Sequence, residues 1–403
     1  MLQQFDLLII GGGPVGATLA LSLAHLPLRI GLVEAKQTIN DTRVLALTQV
    51  SKQIYSALGI WSKLASQATP IEHIHVSDRG HFGKTRFHAR DAGVSALGYT
   101  IELQHLQAAL HSPKMPYEFI CPAQIESVLV QPQCVSVAIK TATGQQQLQT
   151  KLLIAADGAD SFVRNALNIP THKHDYQQHA LVTKVHFSQP HQNTAYERFT
   201  DSGPLALLPL SEHQAALVWV GKAPQIAALQ TCHEQEFIKQ LQFTFGYTLG
   251  KFVAVEPRHA FPLQLVWAKE QVRTRVVILG NANHSLHPIA AQGFNLGLRD
   301  VAMLAQVLTD KTMGIGLNAT MTKFNHDLGD LAILQQYAAS RQQDQSFTIY
   351  STNSLVRLFS NNLMPLAQVR SLGMLALDLC PGAKRLLTRR AMGFTRNMSW
   401  LSL

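Results

Sequence analysis

Apolar residues follow three rhythms along this chain. Residues 5–10 form a short run, apolar but for Asp6, the pattern of a buried strand, and lead into Gly11-Gly12-Gly13-Pro14-Val15-Gly16. An Ala- and Leu-rich stretch over 17–26 then reads as a helix, and 29–33 as a second strand ending at Glu34. After the segment 41–48 a helical pattern runs to Leu64, residues 75–81 read as strand then turn, and a helix is expected from Ile101 through Leu110. Residues 125–131, 135–141 and 147–156 read as three strands, Thr143-Gly144 turning between the last two; the third ends in Asp157-Gly158. From 176 to 270 the rhythm becomes alternation, at 180–187, 195–200, 205–208 and 215–220, which predicts an antiparallel sheet; one helix, 234–245, interrupts it. Residues 275–279 return to the buried-strand pattern and enter a small-residue loop, from which a helix continues to Leu308. Residues 318–345 are helical and polar, and the last segment is helical, broken by Pro365 and Pro381-Gly382.

The first of these units carries chemistry. Its glycines match G-x-G-x-x-G: Gly11 for a tight turn, Gly13 for close approach of a pyrophosphate, Gly16 for helix–strand packing. The helix N-terminus offers unpaired N–H groups to an anion, and Glu34 stands where an acid accepts from a ribose hydroxyl. With strand, helix and acid in place this reads as a dinucleotide site, against the plainer reading of a glycine-rich turn. Two further strand ends are candidates for ligand contact: residues 155–164, with Asp157 and Arg164, and residues 280–300, where amides around Gln292–Asn295 suit the carbonyls of a flat heterocycle. Arg43 reads equally as a cofactor contact or a surface arginine. Trp219 reads as core ahead of substrate wall. His284 and His287 have a spacing of three, but the oxygen or sulfur ligands of a metal site are missing nearby, so no metal is expected. His287 stands as a candidate proton acceptor or ring-positioning group, with a structural histidine as its rival.

Composition narrows the class. Forty-six per cent apolar and 15% charged residues over 403 positions describe a globular chain with a large core. Four scattered cysteines suit a reducing compartment, the early first strand leaves no room for a signal peptide, and no run approaches the length of a membrane span. A cytoplasmic protein is expected. The net charge of +9 is concentrated: residues 346–403 hold seven basic residues against Asp378 alone, or +6. With no nucleic-acid recognition motif beside it, that charge points to anionic lipid or an acidic partner, and to a peripheral place at the inner face of a membrane.

Residues 11–16 with Glu34, 156–164 and 280–300, in this order, resemble the flavin-dependent aromatic hydroxylases of the para-hydroxybenzoate hydroxylase type, nearly end to end. Residues 41–48, 75–81, 197–200, 203–206 and 287–300 resemble the ubiquinone-biosynthesis branch. Gly280-Asn281 and the run from His287 through Pro288 to Ala290 are most similar to 2-polyprenyl-6-methoxyphenol hydroxylases. The resemblance implies an α/β fold: a Rossmann-like FAD-binding domain in two parts, 1–175 and 271–345, an inserted antiparallel-sheet substrate domain, 176–270, and a basic helical segment, 346–403. It implies FAD, NAD(P)H and O₂, and hydroxylation of a polyprenylated phenol to the 1,4-benzoquinol through a flavin C4a-hydroperoxide. Hydroxylation at another ring position, or a non-catalytic lipid-carrying flavoprotein, are the alternatives. Gly11, Gly13, Pro14, Val15 and Gly16 would then hold the pyrophosphate and Glu34 the ribose. Arg43 and Gln104 would meet the phosphate–ribityl stretch, Val128 the adenine, Asp157 the D-G region and Asn281 the ribityl. Pro288, Gln292, Gly293, Phe294 and Asn295 would lie against the isoalloxazine. Asn281 stands where the wider family has Asp, Gln104 where many have Arg, and Ala291 where the family has glycine, which requires a loop that tolerates Cβ.

Overall fold

A computed structural model describes residues 3–36, 41–111, 115–314, 327–359 and 364–394, with backbone alone for 364–367. Two large sheets dominate. In the first, parallel strands run in the order Val276–Ile278, Gly144–Ala155, Gln3–Ile10, Ile30–Val33 and Glu118–Ile120. The apolar run at 5–10 has a plain cause: its two faces serve separate cores. Leu7 and Ile9 pack with Ala17, Leu19 and Leu304 on one side, while Phe5, Leu8 and Ile10 pack with Leu153, Val163 and Ile278 on the other. Strands Ala123–Val130 and Val135–Thr141 extend this sheet as a meander off Gly144–Ala155.

The first helix is Pro14–Leu23, three residues earlier at each end than the apolar pattern implies. Pro14 is the reason: its fixed φ suits the first helical turn, where its missing N–H costs nothing. Ile101 and Glu102 do not begin a helix. They end the strand Gly98–Glu102, paired with Val44–Thr48, and the helix Leu103–Leu110 starts behind an extended Glu102.

The second sheet runs His284–Ser285, His259–Ala268, Thr171–Phe187, Gln214–Lys222, Gly203–Pro209, Thr194–Thr200, His73–Asp78 and Lys84–His88, with Phe252–Val255 also on Thr171–Phe187. It is antiparallel except where Thr194–Thr200 meets His73–Asp78. It therefore recruits strands from before 176 and after 270. One face carries Leu181, Leu205, Leu217 and Trp219 against helices Ala223–Thr231 and Glu234–Phe245. Trp219 is core here, edge-on to Phe237. The helix Ala223–Thr231 is disguised in the sequence by Pro224, which marks a loop but sits in a first turn. The other face of the sheet looks toward the cofactor half.

Helices Leu331–Phe359, Met364–Leu379 and Pro381–Ala391 close the structure. Met364–Leu379 is inverted: Arg370 and Ser371 are buried, Arg370 pairing with Asp78 at 3.2 Å, while Val369, Leu372, Leu375 and Leu379 face outward. Arg396, Trp400 and Leu401 lie outside the described residues.

Candidate active site

The three separated motifs meet at the carboxyl ends of adjacent strands. Gly11 N–H bonds Val33 O, Ala156 N–H bonds Ile10 O and Leu279 N–H bonds Ala155 O, at 2.8, 2.7 and 2.8 Å. A Cβ on Gly11, at φ +105°, would collide with Ala156 O, and one on Gly16 with Gly11 O. Gly13, by contrast, faces open space. Val15 wedges against Gly280 and Gly297, so the starts of Pro14–Leu23 and Gln292–Met313 converge on one spot.

Glu34 Oε2 accepts from Gly12 N–H at 2.6 Å, and Oε1 accepts from Lys36 N–H at 3.2 Å, toward solvent. His111, which pattern reading passed over, donates from Nε2 to Gly12 O at 2.8 Å and so braces the glycine loop. Asp157 Oδ2 accepts from Val163 N–H at 3.1 Å, whereas its Oδ1 is buried without a partner, and burial raises its pKa. Arg164 ties this loop to the next, donating to Ala159 O at 2.7 Å and Ala282 O at 2.9 Å. Arg43 is exposed and held by Asp41 at 2.6 Å, and Gln104 donates to Glu102 at 2.6 Å. Val128 lies on the outer meander strand, opposite Val137 and packed against the second core; Ala123, at the start of that strand, donates to Glu34 O at 2.8 Å.

The loop 284–292 separates this junction from the second sheet. His284 and Trp267 pair across strands, which fastens the loop to that sheet. Asn295 spends its whole amide tying the loop to residues 46–51: Oδ1 accepts from Thr48 N–H (2.9 Å) and Ser51 Oγ (2.6 Å), while Nδ2 donates to Ala46 O (2.8 Å) and Ala291 O (2.7 Å). Gln292 donates to Ala290 O at 3.1 Å and Ala391 O at 3.3 Å. Gly293, beside Leu286, and Phe294, against the first core, complete the turn into the helix. Ala290 and Ala291 both take left-handed backbone, φ 57° and 49°. The loop has kept glycine-like geometry at Ala291 instead of relaxing around its Cβ.

His287 is buried edge-on to Tyr176, with ring centroids 5.2 Å apart. Its Nδ1 accepts from Ile289 N–H at 3.1 Å, so Nε2 carries the proton, and Nε2 is buried and unpartnered. Burial lowers its pKa to about 4. It is thus a neutral donor, which fits ring positioning better than proton acceptance. His284 instead donates to Asp300 at 2.7 Å, within a buried cluster where Asp300 also accepts from Arg341 (2.6 Å) and Arg341 and Arg299 share Asp344. Among the described residues no cluster suits a metal ion.

Across the loop, the sheet presents Val182, Val218, Ala206, Glu197 and Val76 in one cross-strand row. The next row brings Phe199, which joins Ile289, Tyr176 and Phe359 in an apolar cluster. The row that holds Glu197 is otherwise apolar; the other carboxyl on this face, Asp78, lies beside Phe199 in the next row and is paired with Arg370 at 3.2 Å. Glu197 was visible in the sequence as an acid at an inward position of an alternating strand, between Ala195 and Phe199.

The FAD binding domain family matches residues 4–330. The chain belongs to this family. The donor set agrees: a glycine turn closed to a Cβ at Gly11 and Gly16 and open at Gly13, an acid at the second strand's end, and a buried, unpartnered Asp157 oxygen. The family member described here is 32% identical to a ubiquinone hydroxylase, UbiL, of Rhodospirillum rubrum, over 96% of this chain and 89% of the relative. It is 28% identical to the 3-demethoxyubiquinol 3-hydroxylase of Escherichia coli, over 97% of this chain and 99% of the relative. Its fold matches the crystal structure of p-nitrophenol 4-monooxygenase PnpA from Pseudomonas putida, at TM-score 0.79 and 16% identity, over 98% and 100% of the two chains. It is an FAD-dependent monooxygenase, with O₂ as co-substrate and a reduced nicotinamide as reductant. No helix among the described residues is long and apolar enough to cross a membrane.

Proposed function

We propose that this monooxygenase hydroxylates the ring of a polyprenylated phenol in ubiquinone biosynthesis, converting 2-polyprenyl-6-methoxyphenol to the 1,4-benzoquinol. The observation that carries the reading is the largely apolar sheet floor, with the unpartnered carboxyl of Glu197 in its central row, across loop 284–292 from the junction of the three motifs. FAD, when bound and reduced, supplies the activation of O₂ that no side chain can. The chain's own residues do the rest. Gly11, Gly13, Pro14, Val15 and Gly16, with the helix N-terminus, cradle the pyrophosphate, and Glu34 accepts from the ribose. Asn281 meets the phosphate–ribityl stretch, and Asp157, of the D-G motif, serves FAD and the reduced nicotinamide; Arg43 and Gln104 join Asn281 by exchanging their present carboxylate partners. Val128 borders the adenine side. Pro288 and the backbone of Gln292, Gly293, Phe294 and Asn295 meet the isoalloxazine edge, and His287 Nε2–H positions the ring. The test is mass spectrometry after incubation with a prenylated methoxyphenol, NADH and ¹⁸O₂. One ¹⁸O atom on the ring is expected, and its position distinguishes this reaction from hydroxylation elsewhere on the ring. NADH oxidation without any ¹⁸O in product would sink the reading.

The substrate reaches the site from a membrane surface in this proposal. The outward stripe Val369, Leu372, Leu375 and Leu379 continues into exposed Leu386 and Leu387, flanked by exposed Arg385 and Arg389. The inner side of the same helix, Met374, packs on Phe199 and Val76 of the floor. Lys384 is paired with Asp378 at 2.9 Å and Arg390 lies 3.5 Å over Phe347, so Arg385 and Arg389 are the cleaner probes. Each basic residue near anionic lipid contributes about 1 kcal/mol. Reversing both to Glu should weaken co-sedimentation with anionic liposomes at least about tenfold at low salt. Equal binding by both proteins would remove the membrane from the proposal.

A further inference from the structure

We propose that Glu197 is the proton acceptor for the phenol hydroxyl, the catalytic base of the hydroxylation; this rests on the phenol reading above. Glu197 occupies the middle of the strand Thr194–Thr200. Its register neighbours are Ala206 and Val76, with Val218 and Val182 beyond. Oε1 is buried and has no hydrogen-bond partner. A carboxyl in the centre of an apolar floor, unbonded, costs stability that the fold has no packing reason to bear. Its position answers the need of the substrate: a phenol lying on that floor has one hydroxyl proton to give, and Glu197 Oε1 is a buried carboxyl oxygen without a partner, whereas Asp78, the other carboxyl of this face, is taken by Arg370.

The environment supports the chemistry. An ordinary carboxylate is a feeble base toward a phenol, whose proton leaves only near pH 10 in water. Burial pushes Glu197 up to about 7, which narrows the gap. Around this face, Lys184 of the strand Thr171–Phe187, three strands away, is tied to Glu102 at 2.6 Å, and Arg370 from helix Met364–Leu379 is paired with Asp78. Tyr176 and His287, edge-on to each other, join this face through Phe199, and desolvation alone accounts for the Glu197 shift. In the step itself, the phenol O–H bond breaks, its proton goes to Glu197 Oε1 and its electron pair stays on the phenol oxygen. The ring thereby becomes electron-rich phenolate and the carboxylate becomes a neutral acid; no redox change occurs in this transfer.

The experiment compares wild type, Glu197→Gln and Glu197→Asp with two probes, a short-chain 6-prenyl-2-methoxyphenol and a fluorinated analogue already ionised at the assay pH. Binding is read by quenching of flavin fluorescence and turnover by product formation. All three proteins should hold FAD equally. Wild-type affinity for the non-fluorinated phenol should rise several-fold between about pH 6 and about pH 8, as the carboxylate forms, and the Gln variant should lose that slope. Its hydroxylation of that phenol should fall by about 10²-fold or more, with much of the loss restored by the fluorinated phenol and part of it by Glu197→Asp. A Gln variant that hydroxylates the non-fluorinated phenol at the wild-type rate, or that loses both phenols alike, overturns the assignment. Wild type that neither binds nor oxidises either phenol overturns the substrate reading first and this inference with it.

Discussion

Two carboxyls are buried on opposite sides of loop 284–292, and their surroundings push them in opposite directions. Behind the loop, Asp300 accepts from Arg341, Gln345 and His284, and the Arg341 charge and those bonds outweigh burial, holding it at about 2. In front, Glu197 has no partner and burial takes it up to about 7. Burial is common to both, so the partners decide. The contrast separates the work of the two regions. Behind the loop every charge is used to hold helix Gln292–Met313 to helix Leu331–Phe359. On the floor in front, Glu197 Oε1 is left without a partner, on the side where the proposed substrate would lie.

The contrast breaks most forcefully at Asp300. Asp300→Asn leaves Arg341 buried with only Asp344 and removes the charge that faces His284. A loss of about 3–5 kcal/mol of unfolding free energy is expected, read by urea denaturation. In wild type this contribution is present above the unfolded carboxylate's pKa and is lost as pH falls toward about 2. A loss below about 1 kcal/mol would mean the cluster is solvated and the comparison is misdrawn.

The opposite sign is expected at Glu197. Its pKa in the fold lies above its unfolded value, so ionisation opposes folding: the cost appears as pH rises past 4.5 and levels off above about 7. Glu197→Gln should therefore stabilise the substrate-free protein, by about 3 kcal/mol at pH 8. The gain should disappear near pH 4, where both side chains are neutral. A variant less stable than wild type at pH 8 would show that Glu197 has a structural partner.

How much of this is legible in the chain depends on the range of the interactions. Strand, glycine turn, helix and Glu34 lie within one unit, and local sterics make each residue's task readable. Asp157 and the loop at 280–300 are likewise strand ends. The strand Gly98–Glu102 is misread because its pairing partner, Val44–Thr48, lies far back in the chain, Thr48 opposite Gly98 and Val44 opposite Glu102. The same holds for His73–Asp78 and Lys84–His88, which enter the second sheet through Thr194–Thr200. Arg341 and Asp344 look like any polar helix surface until Asp300 and Arg299 are set against them. The inverted helix Met364–Leu379 shows the limit in reverse: its leucines read as core, and the structure turns Leu372, Leu375 and Leu379 to the outside.

The smallest expected effect sharpens the boundary between the two regions, in the loop itself. Ala290 and Ala291 are consecutive left-handed residues, a geometry that costs an L-residue about 1–2 kcal/mol. They are clamped there: Asn295 bonds Ala291 O, Gln292 bonds Ala290 O, and Asn295 is itself held by Thr48 and Ser51. Ala291→Gly removes the steric cost but frees the unfolded chain, which returns about 0.4–1 kcal/mol of it. The net expectation is a gain of up to about 1 kcal/mol, while Ala291→Val, β-branched at positive φ, should lose more than Ala291→Gly gains. Both are read by denaturation of flavin-free protein. If glycine destabilises by more than the chain-entropy term and valine is tolerated, the backbone at 291 is not left-handed in solution. The loop dividing Asp300 from Glu197 would then have a different shape from the one on which their contrast depends.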